Sequence, residues 1–124
     1  MKKFFKIFAF IALTLSITAL QSCKRDPSVL KVYVRSQSNQ LVPGAKVVII
    51  GDVNSNPVTR PYVDTVMTNS TGYALFDMTG YFGEKGKKGE IGYFDIIVKK
   101  DTLQALGRVR CRVNITNVET IYLP

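Results

Sequence analysis

The sequence predicts an all-β protein, an antiparallel β-sandwich of about seven strands, and three observations carry that expectation. Beyond residue 28, apolar and polar residues alternate in short runs, the period-two signature of a strand with one buried face. The runs recur at roughly ten-residue spacing, and clusters of Gly, Pro, Asn, Asp and Ser separate them. After residue 22 no segment repeats its apolar residues at helical spacing over the length a packed helix needs. Strands joined by turns, with no helices between them, bury their apolar faces by stacking as two sheets.

The chain opens differently. Lys2, Lys3 and Lys6 precede an apolar run from Ile7 to Ile17, and smaller, more polar residues lead to Cys23, the plan of a secretory signal. From Phe4 to Leu20 the run is 17 residues with Lys6 inside it, shorter than the ~20 apolar residues of a membrane span. Leu20-Gln21-Ser22-Cys23 resembles the lipobox of bacterial lipoproteins, although Gln21 stands where a small or branched residue is usual. The resemblance implies cleavage before Cys23 and a diacylglycerol on its thiol. It divides the chain into a signal peptide (1–22), a lipidated tether (23–28) and a β-domain (29–124). Lys24 and Asp26 partly match a surface-export signal found after some lipidated cysteines, and a solvated linker explains them equally well. The implied location is the cell envelope, lipid-anchored in the outer membrane on its periplasmic or outer face.

The first strand is expected from Val29 to Ser36, with Leu30, Val32 and Val34 inward and Lys31, Tyr33 and Arg35 outward. Pro43 and Gly44 mark the start of a second, in which Ala45, Val47 and Ile49 share a face. Residues 51–61 are loop by composition. Asp52, Asn54 and Asn56 have the spacing that opens a calcium loop, but Pro57 replaces the required glycine and Val63 the closing acid, so no metal site is expected. A third strand, Tyr62 to Thr68, turns at Asn69-Ser70-Thr71-Gly72, where Gly72 is expected at positive φ, into a strand that points Ala74 and Phe76 inward. Residues 80–92, with five glycines and Lys85, Lys87 and Lys88, are expected to form a mobile basic hairpin tip. Tyr93 to Lys100 places Phe94, Ile96 and Val98 on one face, and Asp101 turns the chain. A strand from Leu106 to Ile115 should point Val109, Cys111, Val113 and Ile115 inward and Arg108, Arg110 and Arg112 outward, before Val118 to Leu123 closes the fold.

Removing 22 of 124 residues leaves 102, one domain large enough to be stable without staples. Only Cys23 and Cys111 are present, so with Cys23 acylated no intrachain disulfide is expected and Cys111 reads as a small buried apolar residue. Losing Lys2, Lys3 and Lys6 leaves 14 basic and 9 acidic side chains, a net charge of +5. The sequence contains no histidine, the commonest general base and metal ligand, and no cofactor is expected.

Val42-Pro43-Gly44-Ala45-Lys46-Val47, Thr68 to Phe76 and Tyr93 to Val98 resemble the carboxypeptidase regulatory-like domains, an Ig-like or transthyretin-like β-sandwich group. Leu41 stands where the family commonly has proline, and Asn69 where it commonly has aspartate. The resemblance implies a non-catalytic module, acting as a spacer, stabiliser or binding platform. The enzymatic alternative, a hydrolase on a transthyretin-like fold, depends on histidines this chain lacks, and Ser36 or Cys111 would have no imidazole to activate it. The expected partners are the membrane, through Cys23, and an acidic glycan or acidic envelope protein, not nucleic acid. Arg108, Arg110 and Arg112, with Lys85, Lys87 and Lys88, form the candidate anion-binding face. If the row is purely structural, Glu119 or Asp95 is expected to neutralise it.

Overall fold

The computed structural model describes residues 26–83 and 86–124. The signal segment, Cys23 and Lys85 lie outside the described residues. Seven strands run in chain order as β1 (Val29–Arg35), β2 (Lys46–Gly51), β3 (Val63–Met67), β4 (Tyr73–Asp77), β5 (Ile91–Lys100), β6 (Leu103–Arg112) and β7 (Thr116–Tyr122), with a four-residue helix, α1 (Thr79–Phe82), between β4 and β5. They form a three-stranded sheet ordered β4-β1-β7 and a four-stranded sheet ordered β3-β2-β5-β6. The chain is an all-β sandwich, as its alternation predicts.

One layer of side chains fills the space between the sheets. Leu30, Val32 and Val34 of β1, Val47 and Ile49 of β2, Ala74 and Phe76 of β4, and Phe94, Ile96 and Val98 of β5 are fully buried. Each is an alternate residue of its strand, so the pleat alone delivers them to the core. Every pairing is antiparallel except β1 with β7, which is parallel in the register Val29↔Thr116 to Arg35↔Tyr122. A parallel pair needs a long connection, and here everything from β2 to β6 supplies it.

The first turns fall as expected. Gly72 has φ of 77°, and an added Cβ there would lie 3.0 Å from the Leu41 Cβ. Asn69 Oδ1 accepts from Thr71 N, Thr71 Oγ1 and Tyr73 N at 3.0, 2.7 and 3.3 Å, so the amide fills the acceptor role an aspartate would take. Thr68 pins the start of β2: its hydroxyl accepts from Ala45 N at 2.8 Å and donates to Val42 O at 2.7 Å.

Three expectations require correction. The described part of residues 80–92 is not a free hairpin tip: it lies between β4 of one sheet and β5 of the other, and α1 at its start buries Tyr81 and Phe82. Two aromatic rings under the end of the sandwich are worth more than the flexibility that the surrounding glycines suggest. Ile115 is exposed, because β6 ends at Arg112 and the chain turns through Asn114, at φ 60°, before β7. β6 begins at Leu103, three residues earlier than the alternation suggests, since Asp101 at φ 53° closes a tight hairpin that keeps Leu103 opposite Lys100.

Candidate functional site

The strand β6 is one edge of the four-stranded sheet, and its pleat sends Val109 and Cys111 inward and Arg108, Arg110 and Arg112 to solvent. Alternate residues of a strand stand ~6–7 Å apart, so the three guanidinium groups form a row. Their neighbours on β5 are Asp95 opposite Arg108, Tyr93 opposite Arg110 and Ile91 opposite Arg112.

The row is not uniform. Arg108 Nη2 donates to Asp52 Oδ2 at 2.6 Å, and its guanidinium lies 5.6 Å from the Tyr93 ring centroid. The acid that neutralises it is therefore Asp52, from the loop after β2, and neither Glu119 nor Asp95 makes an ion pair with the row. The same carboxylate turns its Oδ1 to Asn54 N at 3.0 Å, which consumes the residue that a calcium loop would need first. The Arg110 and Arg112 side chains make no hydrogen bond or ion pair with any described residue.

The sequence-predicted lysines converge on the Arg112 end. Lys87 and Lys88 are exposed on a turn closed by Glu90 N donating to Lys87 O at 3.0 Å, and Val113 N donates to Glu90 O at 3.0 Å. The turn thus abuts the end of β6 just past Arg112. Glu90 does not offset the lysines: its Oε2 accepts from Lys87 N at 3.3 Å, and its Oε1 is 3.8 Å from Arg60 Nη2.

Arg60 is a cation that sequence reading did not single out. Its guanidinium lies 4.7 Å from the Tyr81 ring centroid and donates to Tyr81 O, while its backbone N–H donates to the Tyr81 hydroxyl at 3.1 Å. The loop reaches that position because Gly51 has no side chain; a Cβ there would lie 2.5 Å from Arg60 O. Ser55 and Thr59 then fasten the loop to β5. Their hydroxyls are 2.8 Å apart, and Thr59 Oγ1 accepts from Tyr93 N at 2.8 Å, continuing the ladder where β2 has ended.

Beside the row the outer face of this sheet is apolar. Leu106, Val63 and Met67 are 70%, 65% and 56% exposed, and half-buried Val48, Ile50 and Ile97 lie between them. Row by row across the strands, Thr65, Val48, Ile97 and Leu106 stand side by side, and Val63 and Ile50 lead into Asp95 and Arg108.

The candidate nucleophiles lie apart from this face. Cys111 is buried beneath β6, without a disulfide partner among the described residues, and burial pushes its thiol up to about 12. Ser36 Oγ lies 2.9 Å from Ser38 Oγ and accepts from Gln40 N at 3.2 Å, with no general base beside it among the described residues. No group of three or more acidic or cysteine side chains among the described residues could hold a metal ion.

A scan against models of protein families finds no match, and a search of curated proteins finds none either. Among solved structures, chlorocatechol 1,2-dioxygenase from Pseudomonas putida superposes with a TM-score of 0.45 at 11% identity, over 82% of this chain and 62% of that chain. A likeness that weak carries no argument about fold or chemistry.

Proposed function

We propose that this chain is a non-catalytic lipoprotein of the cell envelope, held to a membrane by a lipid on Cys23 and folded as a carboxypeptidase regulatory-like sandwich. Its working surface is the basic strip of Arg110, Arg112, Lys87 and Lys88, which takes an anionic partner. The observation that carries this reading is the division within the arginine row. Arg108 is held by Asp52, whereas the next two guanidinium groups carry no acid among the described residues. Like charges at this spacing repel mildly, and an acid from outside the domain would offset that repulsion.

Between the two kinds of anionic partner, the apolar block of Val63, Ile50, Val48, Ile97 and Leu106 favours an acidic protein over a glycan. It lies on the same face, separated from Arg110 by Asp95 and Arg108, and an exposed apolar patch marks a protein contact more often than a saccharide contact. Absent histidine and the buried, neutral Cys111 support the non-catalytic part of the reading.

The anchor is tested by mass spectrometry of the mature protein, which is expected to begin at an acylated Cys23; an unmodified cysteine or another cleavage site removes it. The strip is tested on a sulfated-polysaccharide column. Changing Arg108, Arg110 and Arg112 together to serine should abolish salt-sensitive retention while the sandwich stays folded, and unchanged retention leaves only a spacer.

A further inference from the structure

The outer face of the three-stranded sheet carries a second set of groups with one chemistry. Tyr73 on β4 stands directly opposite Tyr33 on β1, and Tyr122 on β7 pairs in register with Arg35 of β1. The Tyr33 and Tyr73 ring centroids are 5.4 Å apart at a tilt of 55°, and from Tyr33 to Tyr122 the sheet geometry gives about 8 Å. Three phenol rings thus cross a nearly flat surface in a diagonal strip. Two cations sit among them: Lys31 Nζ lies 4.5 Å from the Tyr73 centroid, and the Arg35 guanidinium lies 6.0 Å from that of Tyr33. The one contact Arg35 makes to a side chain oxygen among the described residues is its Nη1 donating to Asn39 Oδ1 at 3.3 Å.

Among the described residues no acid forms an ion pair with these cations. Among the described residues the one carboxylate on the outward positions of this sheet is Asp77, opposite Val29 and diagonal to Lys31, and its Oδ1 accepts from Thr79 N at 3.0 Å. Hydrogen bonds from the Thr79 side chain and then its backbone N–H hold the Asp77 carboxyl below the usual range. The strip also lies at the far end of β1 from the point where the chain enters the domain. Tyr33 is four residues, or about 13 Å, beyond Val29, away from whatever holds the N-terminal side.

We propose that this strip is a binding site for a carboxylated polysaccharide, a polyuronate chain lying across Tyr33, Tyr73 and Tyr122. The charge complementarity is direct: Lys31 and Arg35 are unneutralised donors spaced along one strand, and each would meet a carboxylate by a charge-assisted hydrogen bond. The rings supply what a bare cation pair lacks. Their electron-rich faces meet the weakly positive C–H faces of sugar rings, and a flat sheet offers several in succession. Leu75 and Val118 are also exposed on this face, on either side of Lys31, but the cations stand beside phenol rings, which suits an anionic sugar chain. The site is independent of the arginine strip, which lies on the other sheet.

The test uses the purified full-length protein with polygalacturonate, neutral dextran of similar length and poly-glutamate as probes. The chain has six tyrosines and no tryptophan, so tyrosine emission reports the rings directly. Polygalacturonate should shift the emission and bind, dextran should bind at least about tenfold more weakly, and the joint change Lys31→Gln with Arg35→Gln should cost about tenfold. Tyr33→Leu and Tyr122→Ser should each weaken binding several-fold without changing the thermal midpoint. Arg110→Ser with Arg112→Ser removes polyanion binding at the β6 strip but should leave the emission shift that polygalacturonate induces at Tyr33, Tyr73 and Tyr122 unaltered, which separates the two sites. The proposal is overturned if polygalacturonate does not shift the tyrosine emission, if poly-glutamate or dextran shifts it equally, or if the β6 changes abolish that shift while the tyrosine changes do not.

Discussion

Replacing Thr59 by valine probes how the long loop is held to the sheet, and its effect can be worked from the contacts. Thr59 is fully buried, and valine fills nearly the same volume, so the change removes a hydroxyl without leaving a cavity. What it strands is Tyr93 N, which donates to Thr59 Oγ1 at 2.8 Å because β2 stops one residue pair short of it. Ser55 Oγ keeps its contacts to Asp52 O at 2.8 Å, Pro57 O at 2.9 Å and Thr59 N at 3.1 Å, so its loss is small. The cost is then that of one buried donor left without an acceptor, about 1–3 kcal/mol. For a domain of this size each kcal/mol lowers the midpoint by roughly 4–8 °C, which predicts a fall of about 4–24 °C. Urea denaturation gives the free energy, and native-state hydrogen exchange should show the Tyr93 amide losing protection. A second effect follows from the loop's other contacts: Asp52 loosens from Arg108, and Arg60 from Tyr81. A loss below ~0.5 kcal/mol with the Tyr93 amide still protected would refute the claim that Thr59 extends the ladder.

Two further outcomes follow from the core. Phe76 is fully buried between the sheets, so Phe76→Ala should cost about 3–5 kcal/mol in chemical denaturation, and a loss under ~1 kcal/mol would mean that the β4 face is misassigned. Burial raises the Cys111 thiol from 9.0 to about 12, so the fold favours the neutral form. Stability from this group is complete below pH 9 and falls by about 1.4 kcal/mol per unit above it, as the unfolded chain ionises first. Native Cys111 should resist iodoacetamide near pH 9 and react on unfolding, with Cys111→Ala flattening the alkaline loss; rapid native alkylation would contradict the burial.

The strands were legible because each has one buried face, and alternation along β1, β2, β4 and β5 reads that face without knowledge of any partner. Gly72 was legible for a similar local reason, three turn formers before a residue that only glycine fits without steric cost. What alternation cannot encode is who pairs with whom. The parallel union of β1 with β7 joins the two ends of the domain, and nothing local to either strand specifies it. The helix α1 is a single turn, too short to show a helical period, and its glycine-rich surroundings pointed to mobility while Tyr81 and Phe82 supplied the burial. At the candidate strip, the outward direction of Arg108, Arg110 and Arg112 followed from the pleat. Their unequal neutralisation did not, because Asp52 stands 56 residues from Arg108 and meets it only once Ser55 and Thr59 fold the loop back. Tyr33 was legible as an outward residue of β1, but only the sheet order sets Tyr73 and Tyr122 beside it.

The measurement closest to the central claim compares Arg108→Ser with the joint change Arg110→Ser and Arg112→Ser, reading stability and polyanion elution on the same preparations. Arg108 and Asp52 form a partly exposed pair, so Arg108→Ser should lower stability by about 0.5–1 kcal/mol and shift elution little. The joint change should leave stability unchanged or raised, and should bring the protein off a sulfated column at clearly lower salt, with the slope of log affinity against log salt reduced. If the two variants elute alike, or if the joint change destabilises the fold while retention holds, Arg110 and Arg112 are structural residues and the strip is not a binding surface.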